Sequence, residues 1–334
     1  MKHSTLYNKP KAMLSSVFVV SWLILGLVSC SISATIRSDP TNVGIDVALL
    51  RGYTRQQYTR SVIDFWTPER MASAIPAELT ITGMHPTPVS NNNQQSGVER
   101  VLTPSASTNG IRAYRPTAAG RAFFMFGDKT YVCSGSVVNA KNRDTIVTAG
   151  HCVVNTTNKA YADKWMFVPH YHSGDRPVGT FVARYLAVKK QYLDKADMSF
   201  DVAIVTVDVN EQNEHVQDVV GAFGISLNAP VQAGIHAFGF PMNMNNGETL
   251  SNCITTSKKA SIFLMSSYVG ITIKCGMGGG ASGGPWLQKY DTNTRLGQQV
   301  SVTSFSHTLS PGNIHGPHFN DANIGSLFLE NQNN

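Results

Sequence analysis

The chain has 334 residues, 42% of them hydrophobic, and a formal net charge of +6. That is apolar material for one large core or two modest ones, and it excludes a disordered or low-complexity chain. Residues 1–115 hold 11 Lys and Arg against 6 Asp and Glu, and residues 116–334 hold 16 against 15, so the longer part has no cationic excess for phosphates and nucleic acid is excluded as a partner.

The first thirty residues read as an export signal. A flank with Lys2, Lys9 and Lys11 leads into the apolar run from Met13 to Val28, which is short for a spanning helix of about 20 residues. Leu27-Val28-Ser29-Cys30 resembles a bacterial lipobox, making Cys30 a candidate lipidation site and membrane anchor. An ordinary cut after Ser33 is the competing reading. Residues 31–115 are irregular, with scattered prolines and the polar run from Ser90 to Ser96, and read as a propeptide or linker. Within them Tyr58 to Ala74, including FWTPERM, predicts one short docking helix.

From Ala122 onward, short β-branched and aromatic runs are separated by Gly, Asn, Asp and Pro, the pattern of an all-β domain, placed at 116–334. Strands are expected in RAFFMF, KTYVCSGSVV, DTIVTA, KWMFVP, GTFVARYLAV, FDVAIVTV, GIHAFGF, SIFLMSS, GITIKC, QQVSVTSFS and SLFLE. The polar stretch from Asn210 to Asp218 divides a first barrel, about 116–213, from a second, about 219–330.

Setting Cys30 aside leaves Cys133, Cys152, Cys253 and Cys275, an even set in an exported chain, which implies two disulfides. The sequential pairing, Cys133 with Cys152 and Cys253 with Cys275, is expected because each pair closes a local loop around a motif. A zinc site is the rival, but the tight Cys-x-x-Cys knuckles of four-cysteine sites are missing. No metal and no organic cofactor are expected.

Three motifs carry chemistry. In TIVTAGHC a strand end delivers the imidazole of His151, and a disulfide from Cys152 back to Cys133 would hold that corner within the reach a general base needs. In FDVAI the carboxylate of Asp201 precedes an apolar run that draws it under the fold, where it can accept the imidazole N–H and fix its tautomer. Asp197, in the polar LDKADMS, reads as a solvated surface acid. In GGGASGGPW, glycines on both sides of Ser282 allow a tight turn that exposes the hydroxyl and aims the amides of Gly280 and Ser282 at one point, an oxyanion hole.

With His151, Asp201 and Ser282 in that order, and TAGHC, DVAI and SGGP present, the sequence resembles the chymotrypsin-like serine peptidases. Its FWTPERM, VPHYHSGDRPVGTF, FGFP and GGGASGGPW are most similar to the bacterial and fungal glutamyl-endopeptidase-like branch. The resemblance implies two antiparallel β-barrels with the active site between them, a protein or peptide substrate and a monomer. It also implies a primary pocket with its floor near Gly276 and Met277 and a wall from Thr303, Ser304 and Phe305. Ala281 stands where many animal members carry an acid, so their ion-pair activation switch is lost here. Asp and Glu are absent between Glu248 and Asp291, which removes the acid that selects Lys or Arg. The pocket histidine of glutamyl enzymes is replaced by Thr303. His307, His315 and His318 lie nearby and could substitute for it, though each reads better as a surface or loop residue; His170 and His172, spaced as a metal pair on a strand face, lack companion ligands and read as exposed polar residues.

Two other functions fit parts of the pattern. Gly280 to Gly284 also satisfies the G-x-S-x-G of an α/β-hydrolase esterase, a fold that needs a helix directly after the serine. A catalytically silent surface binding module could keep the same barrels without turnover.

Overall fold

A computed structural model describes residues 39–77, 100–101, 118–262, 265–306 and 312–334. The export signal, Cys30, the run from Ser90 to Ser96 and His307 lie outside them.

Residues 39–77 and 100–101, within the segment read as a propeptide or linker, form regular structure that packs on the rest of the fold. Strand β1 (Asn42–Asp46) is followed by α1 (Val47–Leu50), α2 (Arg55–Phe65), α3 (Pro68–Ser73), β2 (Ile75–Pro76) and β3 (Arg100–Val101). Thr54 caps α2 by accepting the Gln57 N–H, and the Gln57 side chain accepts the Thr54 N–H in return, which satisfies donors that a bare helix end leaves open. Where one helix was expected over Tyr58 to Ala74 there are two, because Thr67 precedes Pro68 and is driven out of helical geometry, ψ 159°. Tyr58, Val62, Trp66 and Met71 are buried.

The first barrel follows: β4 (Ala119–Phe126), β5 (Lys129–Val137), β6 (Thr145–Thr148), the hairpin β7 (Val154–Asn155) and β8 (Ala160–Tyr161), β9 (Asp163–Pro169), β10 (Phe181–Lys189) and β11 (Ala203–Val207). Six strands run antiparallel in the order β10-β11-β6-β5-β4-β9, and β9 pairs with β10 to close the ring. β1 adds itself antiparallel to β10, Asn42 opposite Lys189, and β2 lies parallel on β5, Ile75 opposite Tyr131. Tyr58 donates its hydroxyl to Asp163 at 2.9 Å, Trp66 donates Nε1–H to the Lys164 carbonyl at 2.6 Å, and Arg176 donates to the Trp66 carbonyl.

A buried cation marks how firmly the segment is held. Lys189 is 1% exposed, and its ammonium donates to Asp39 Oδ2 at 2.8 Å, Asn42 Oδ1 at 2.7 Å and Ser326 Oγ at 2.9 Å. An ammonium taken out of water is tolerated only when paired and hydrogen-bonded, and two of its three partners belong to residues 39–77. Burial alone would raise the Asp39 carboxyl, but hydrogen bonds from Lys189 and Thr41 outweigh it and hold the group well below its ordinary 3.8. A carboxylate depressed in the folded state contributes fully above its ordinary value and loses that contribution as pH falls through the folded one. Asp39→Asn is therefore expected to lower the melting temperature at neutral pH and to flatten the acid loss of stability below about pH 4. Melts over a pH series check this, and an unchanged acid slope would count against it.

The second half holds β12 (Gly224–Leu227), β13 (Gly234–Gly239), β14 (Ser251–Thr256), β15 (Lys258–Lys259), β16 (Gly270–Lys274), β17 (Pro285–Asp291), β18 (Leu296–Val302), β19 (Phe305–Ser306) and β20 (Asn313–Pro317). They form two sheets, β14-β13-β17-β18-β12-β3 and β15-β16-β20-β19. Ile235 and Trp286 from the first meet Ile273 and Ile314 from the second in one apolar core. The helix Val216–Val220 connects the halves. The helix Ser326–Asn331 stands where SLFLE is expected as a strand and returns to the first core through Leu327 and Phe328, and the described residues of SIFLMSS form no strand either.

Candidate active site

His151 sits in the 3-10 turn Gly150–Cys152 directly after β6. Its backbone N–H donates to Asp201 Oδ1 at 2.8 Å, and its ring Nδ1 lies 2.8 Å from Asp201 Oδ2. A carboxylate accepts, so the ring proton is assigned to Nδ1, which leaves Nε2 as the basic nitrogen of the neutral imidazole. Asp201 is fully buried, two residues before β11. Burial alone would raise its carboxyl. The charge and hydrogen bonds of His151 and a hydrogen bond from Ser304 outweigh that and hold it below its ordinary value.

Asp197 is the N-cap of the 3-10 turn Met198–Phe200, accepting the Ser199 N–H at 3.0 Å. It shapes the turn that presents Asp201. Tyr192 lies beside Gly150, and its phenol is pushed well above 10.0 by burial and by the Asp201 charge, so it stays neutral.

Both disulfides join the expected partners, Cys133 to Cys152 with Cα atoms 6.2 Å apart and Cys253 to Cys275 at 5.9 Å. The first ties β5 to the turn that carries His151. Replacing Cys133 and Cys152 together by Ala is expected to cost about 2–4 kcal/mol of stability. Urea unfolding of the pair variant against the oxidised protein checks this, and a difference below about 1 kcal/mol would show that the tether adds little.

Ser282 is buried in the loop between β16 and β17. Gly283 has φ +79°, and a Cβ there would fall 2.1 Å from Thr148 Oγ1; only glycine lets the loop press against the end of β6, three residues before His151. Gly280 has φ +93°. The amides around the two oxyanion candidates are committed: Ala281 N–H donates to Gly278 at 3.2 Å, Gly283 to Thr303 at 2.7 Å and Gly284 to Ala281 at 2.9 Å. A strand, β17, and not a helix, follows Ser282, which removes the α/β-hydrolase reading.

Gly276 is exposed and open, with Met244 4.0 Å from where its Cβ would be, and Met277 is buried. Thr303 accepts the Trp286 indole N–H on its hydroxyl at 2.9 Å. Ser304 donates its hydroxyl to Asp201 Oδ2 at 2.5 Å, so both hydroxyls have partners within the protein. His315 is no surface or loop residue: it lies in β20, 3% exposed, with its ring stacked on Phe305 at 5.1 Å and its carbonyl accepting the Ser304 N–H at 2.9 Å. His318 is partly buried, its Nε2 2.9 Å from the Ala229 carbonyl. His170 and His172 lie beyond the end of β9 at Pro169, not on a strand face.

The family described as trypsin-like peptidase domain matches residues 133–294. Among solved structures, the protease Anisep from Arthrobacter nicotinovorans is 30% identical with a TM-score of 0.58, over 68% of this chain and 98% of that one. The thermostable serine protease AL20 from an extremophilic microorganism is 28% identical with a TM-score of 0.59, over 66% and 99%. A Glu endopeptidase, 18% identical with a TM-score of 0.53 over 67% and 96%, shares the fold. An extracellular metalloprotease of Bacillus subtilis (strain 168) is 25% identical over 142 residues, and the chain spans 42% of that relative's length.

That last name raises a metal, which the donor set here does not fit. Among the described residues, Cys133, His151 and Cys152 bring three potential ligand atoms within 4.8 Å of one another. Both sulfurs are joined to each other, and the imidazole Nδ1 is engaged by Asp201; a metal needs thiolates, not a disulfide.

Proposed function

This chain belongs to the trypsin-like serine peptidases, and from that premise we propose that it is an exported endopeptidase working through an acyl-enzyme on Ser282. The observation that carries the proposal is the buried pair of His151 and Asp201, joined at Nδ1 and Oδ2 over 2.8 Å, with the Ser282 loop packed against the strand that presents the histidine. Ser282 Oγ attacks the scissile carbonyl while His151 Nε2 takes its proton, and the new oxyanion is held by the Gly280 and Ser282 amides. His151 then gives the proton to the leaving amine as the C–N bond breaks. Water, deprotonated by the same nitrogen, attacks the acyl carbonyl and releases the acid and Ser282.

For primary specificity we favour an acidic side chain. Support comes from the buried His315 beside Ser304 and Phe305 and from the lack of Asp and Glu between Glu248 and Asp291. Export is supported by the signal-like N-terminus and by two disulfides, which persist in oxidising compartments. Among the described residues no helix is long and apolar enough to cross a membrane, and attachment through a lipid on Cys30 is part of the proposal, as are a monomeric state and a protein or peptide substrate. The test is labelling by an organophosphonate, mapped to its residue, together with cleavage of a peptide library. Label on Ser282 and cuts after Glu are expected; a folded protein that takes no label would leave the silent binding module.

A further inference from the structure

The catalytic reading places Ser282, His151 and Asp201 but says nothing of Ser134, which the sequence offers only as the residue after Cys133. Ser134 lies in β5, 1% exposed. All of its polar groups are used on the site. Its N–H donates to the Ser282 carbonyl at 2.7 Å. Its hydroxyl donates to the Gly280 carbonyl at 2.8 Å and accepts the Phe240 N–H at 2.9 Å. Its carbonyl accepts the Thr148 hydroxyl at 2.8 Å.

Peptide planarity gives these bonds their effect. A carbonyl and the next amide share one rigid plane, so holding the Gly280 carbonyl fixes the peptide that leaves Gly280, and holding the Ser282 carbonyl fixes the one that leaves Ser282. The peptides carrying the two oxyanion amides are held from their own carbonyls, Gly279 by the Met242 N–H at 2.7 Å and Ala281 by the Gly284 N–H at 2.9 Å. Four consecutive peptides are thus anchored, two of them by Ser134. The need is greatest at Gly280, whose φ of +93° marks a backbone without the steric limits of other residues. Met242, which anchors one plane, is reached through the strand end at Phe240 that the Ser134 hydroxyl also holds.

We propose that Ser134 is a positioning residue for the oxyanion hole, its hydroxyl fixing the direction of the Gly280 peptide and, through Phe240, the segment that anchors it. The inference rests on Ser282 being the nucleophile. Because the hydroxyl touches neither substrate nor the imidazole, its loss acts on the stabilised oxyanion and leaves ground-state binding and proton transfer in place.

The test compares Ser134→Ala and Ser134→Gly with Ser134→Thr, which keeps the hydroxyl, in the full chain with folding checked by circular dichroism. Both truncations are expected to lower kcat by about 10- to 100-fold, a part of the 10²- to 10³-fold that follows loss of an oxyanion donor. KM and the acid limb of the pH profile should be unchanged. Affinity for a peptide aldehyde, whose hemiacetal oxygen occupies the same hole, should fall by the same factor, and Ser134→Thr should recover most of both. Unchanged aldehyde affinity in a folded truncation, or a loss shared equally by KM and the pH profile, would overturn the inference. If the unsubstituted protein takes no label at Ser282, the catalytic reading falls with it; normal labelling with an unshifted aldehyde affinity removes the role of Ser134 alone.

Discussion

Replacing Ser282 by Ala is expected to lower kcat on a peptide substrate by roughly 10⁶-fold while the protein stays folded, the scale seen when a triad acts as a unit. Retention of the fold follows from where the loop is held. The Ser134 N–H to Ser282 carbonyl bond and the Gly283 N–H to Thr303 carbonyl bond are made by backbone, so the loop keeps its course without the hydroxyl. The double variant with His151→Ala should be little slower than either single one, since each already removes the step that the other serves. Initial-rate kinetics beside far-UV circular dichroism decide it. A folded Ser282→Ala protein with near-normal turnover would end the acyl-enzyme proposal.

Asp201→Asn is the second large effect, expected at about 10⁴-fold in kcat, the scale of the corresponding change in trypsin. The reason is legible in the donors that surround the carboxylate. The His151 N–H, the His151 ring and the Ser304 hydroxyl all donate to it. An amide offers one oxygen and turns its NH₂ to the remaining side, where a donor already stands. The ring can accept that NH₂ only on an unprotonated Nδ1, which moves its proton to Nε2 and removes the base. In the unsubstituted protein Asp201 is held below its ordinary value, so it remains ionised as pH falls through the acid limb, and that limb should show a single protonation. The variant is checked by kcat over a pH series with the histidine tautomer read by nitrogen NMR. A loss below about 10-fold, with Nε2 still unprotonated, would remove Asp201 from the mechanism.

The chemistry was the legible part of the sequence because it needs rare local patterns. A histidine beside a cysteine, an acid opening an apolar run and a serine among glycines each show in a few adjacent residues. The barrel pattern was legible for the same reason, through short strands and punctuating turns. What stayed hidden depends on contacts between distant residues. Ser304 reads from sequence as part of a pocket wall, and its bond to Asp201 appears only when the fold brings together residues 103 positions apart. His315 is flanked by Ile314 and Gly316, and its burial comes from Phe305 in the neighbouring strand. The N-terminal segment did carry usable signals: the T-x-x-Q capping box at Thr54 and Gln57, and Thr67 before Pro68, mark two helix starts. Tyr58 to Ala74 reads as helical from sequence, while scattered prolines and the polar run further along give the rest of the stretch its linker composition.

The tie at Lys189 sets an order on how this chain can come together. The Asp39 N–H donates to the Glu330 carboxylate, 291 positions away, and the ammonium that binds Asp39 is shared with Ser326. Contacts between such remote points form late, since the long loop must be closed before they contribute anything. A polypeptide emerging from its N-terminus therefore carries β1 through more than half of its synthesis before its strand partner β10 exists, and through nearly the whole of it before its C-terminal anchor does. The six-stranded ring can close without β1, so refolding should show two kinetic phases: a faster one as the ring forms, and a slower one as the chain's beginning docks against its end. Removing residues 326–334 should abolish the slow phase before it touches the fast one.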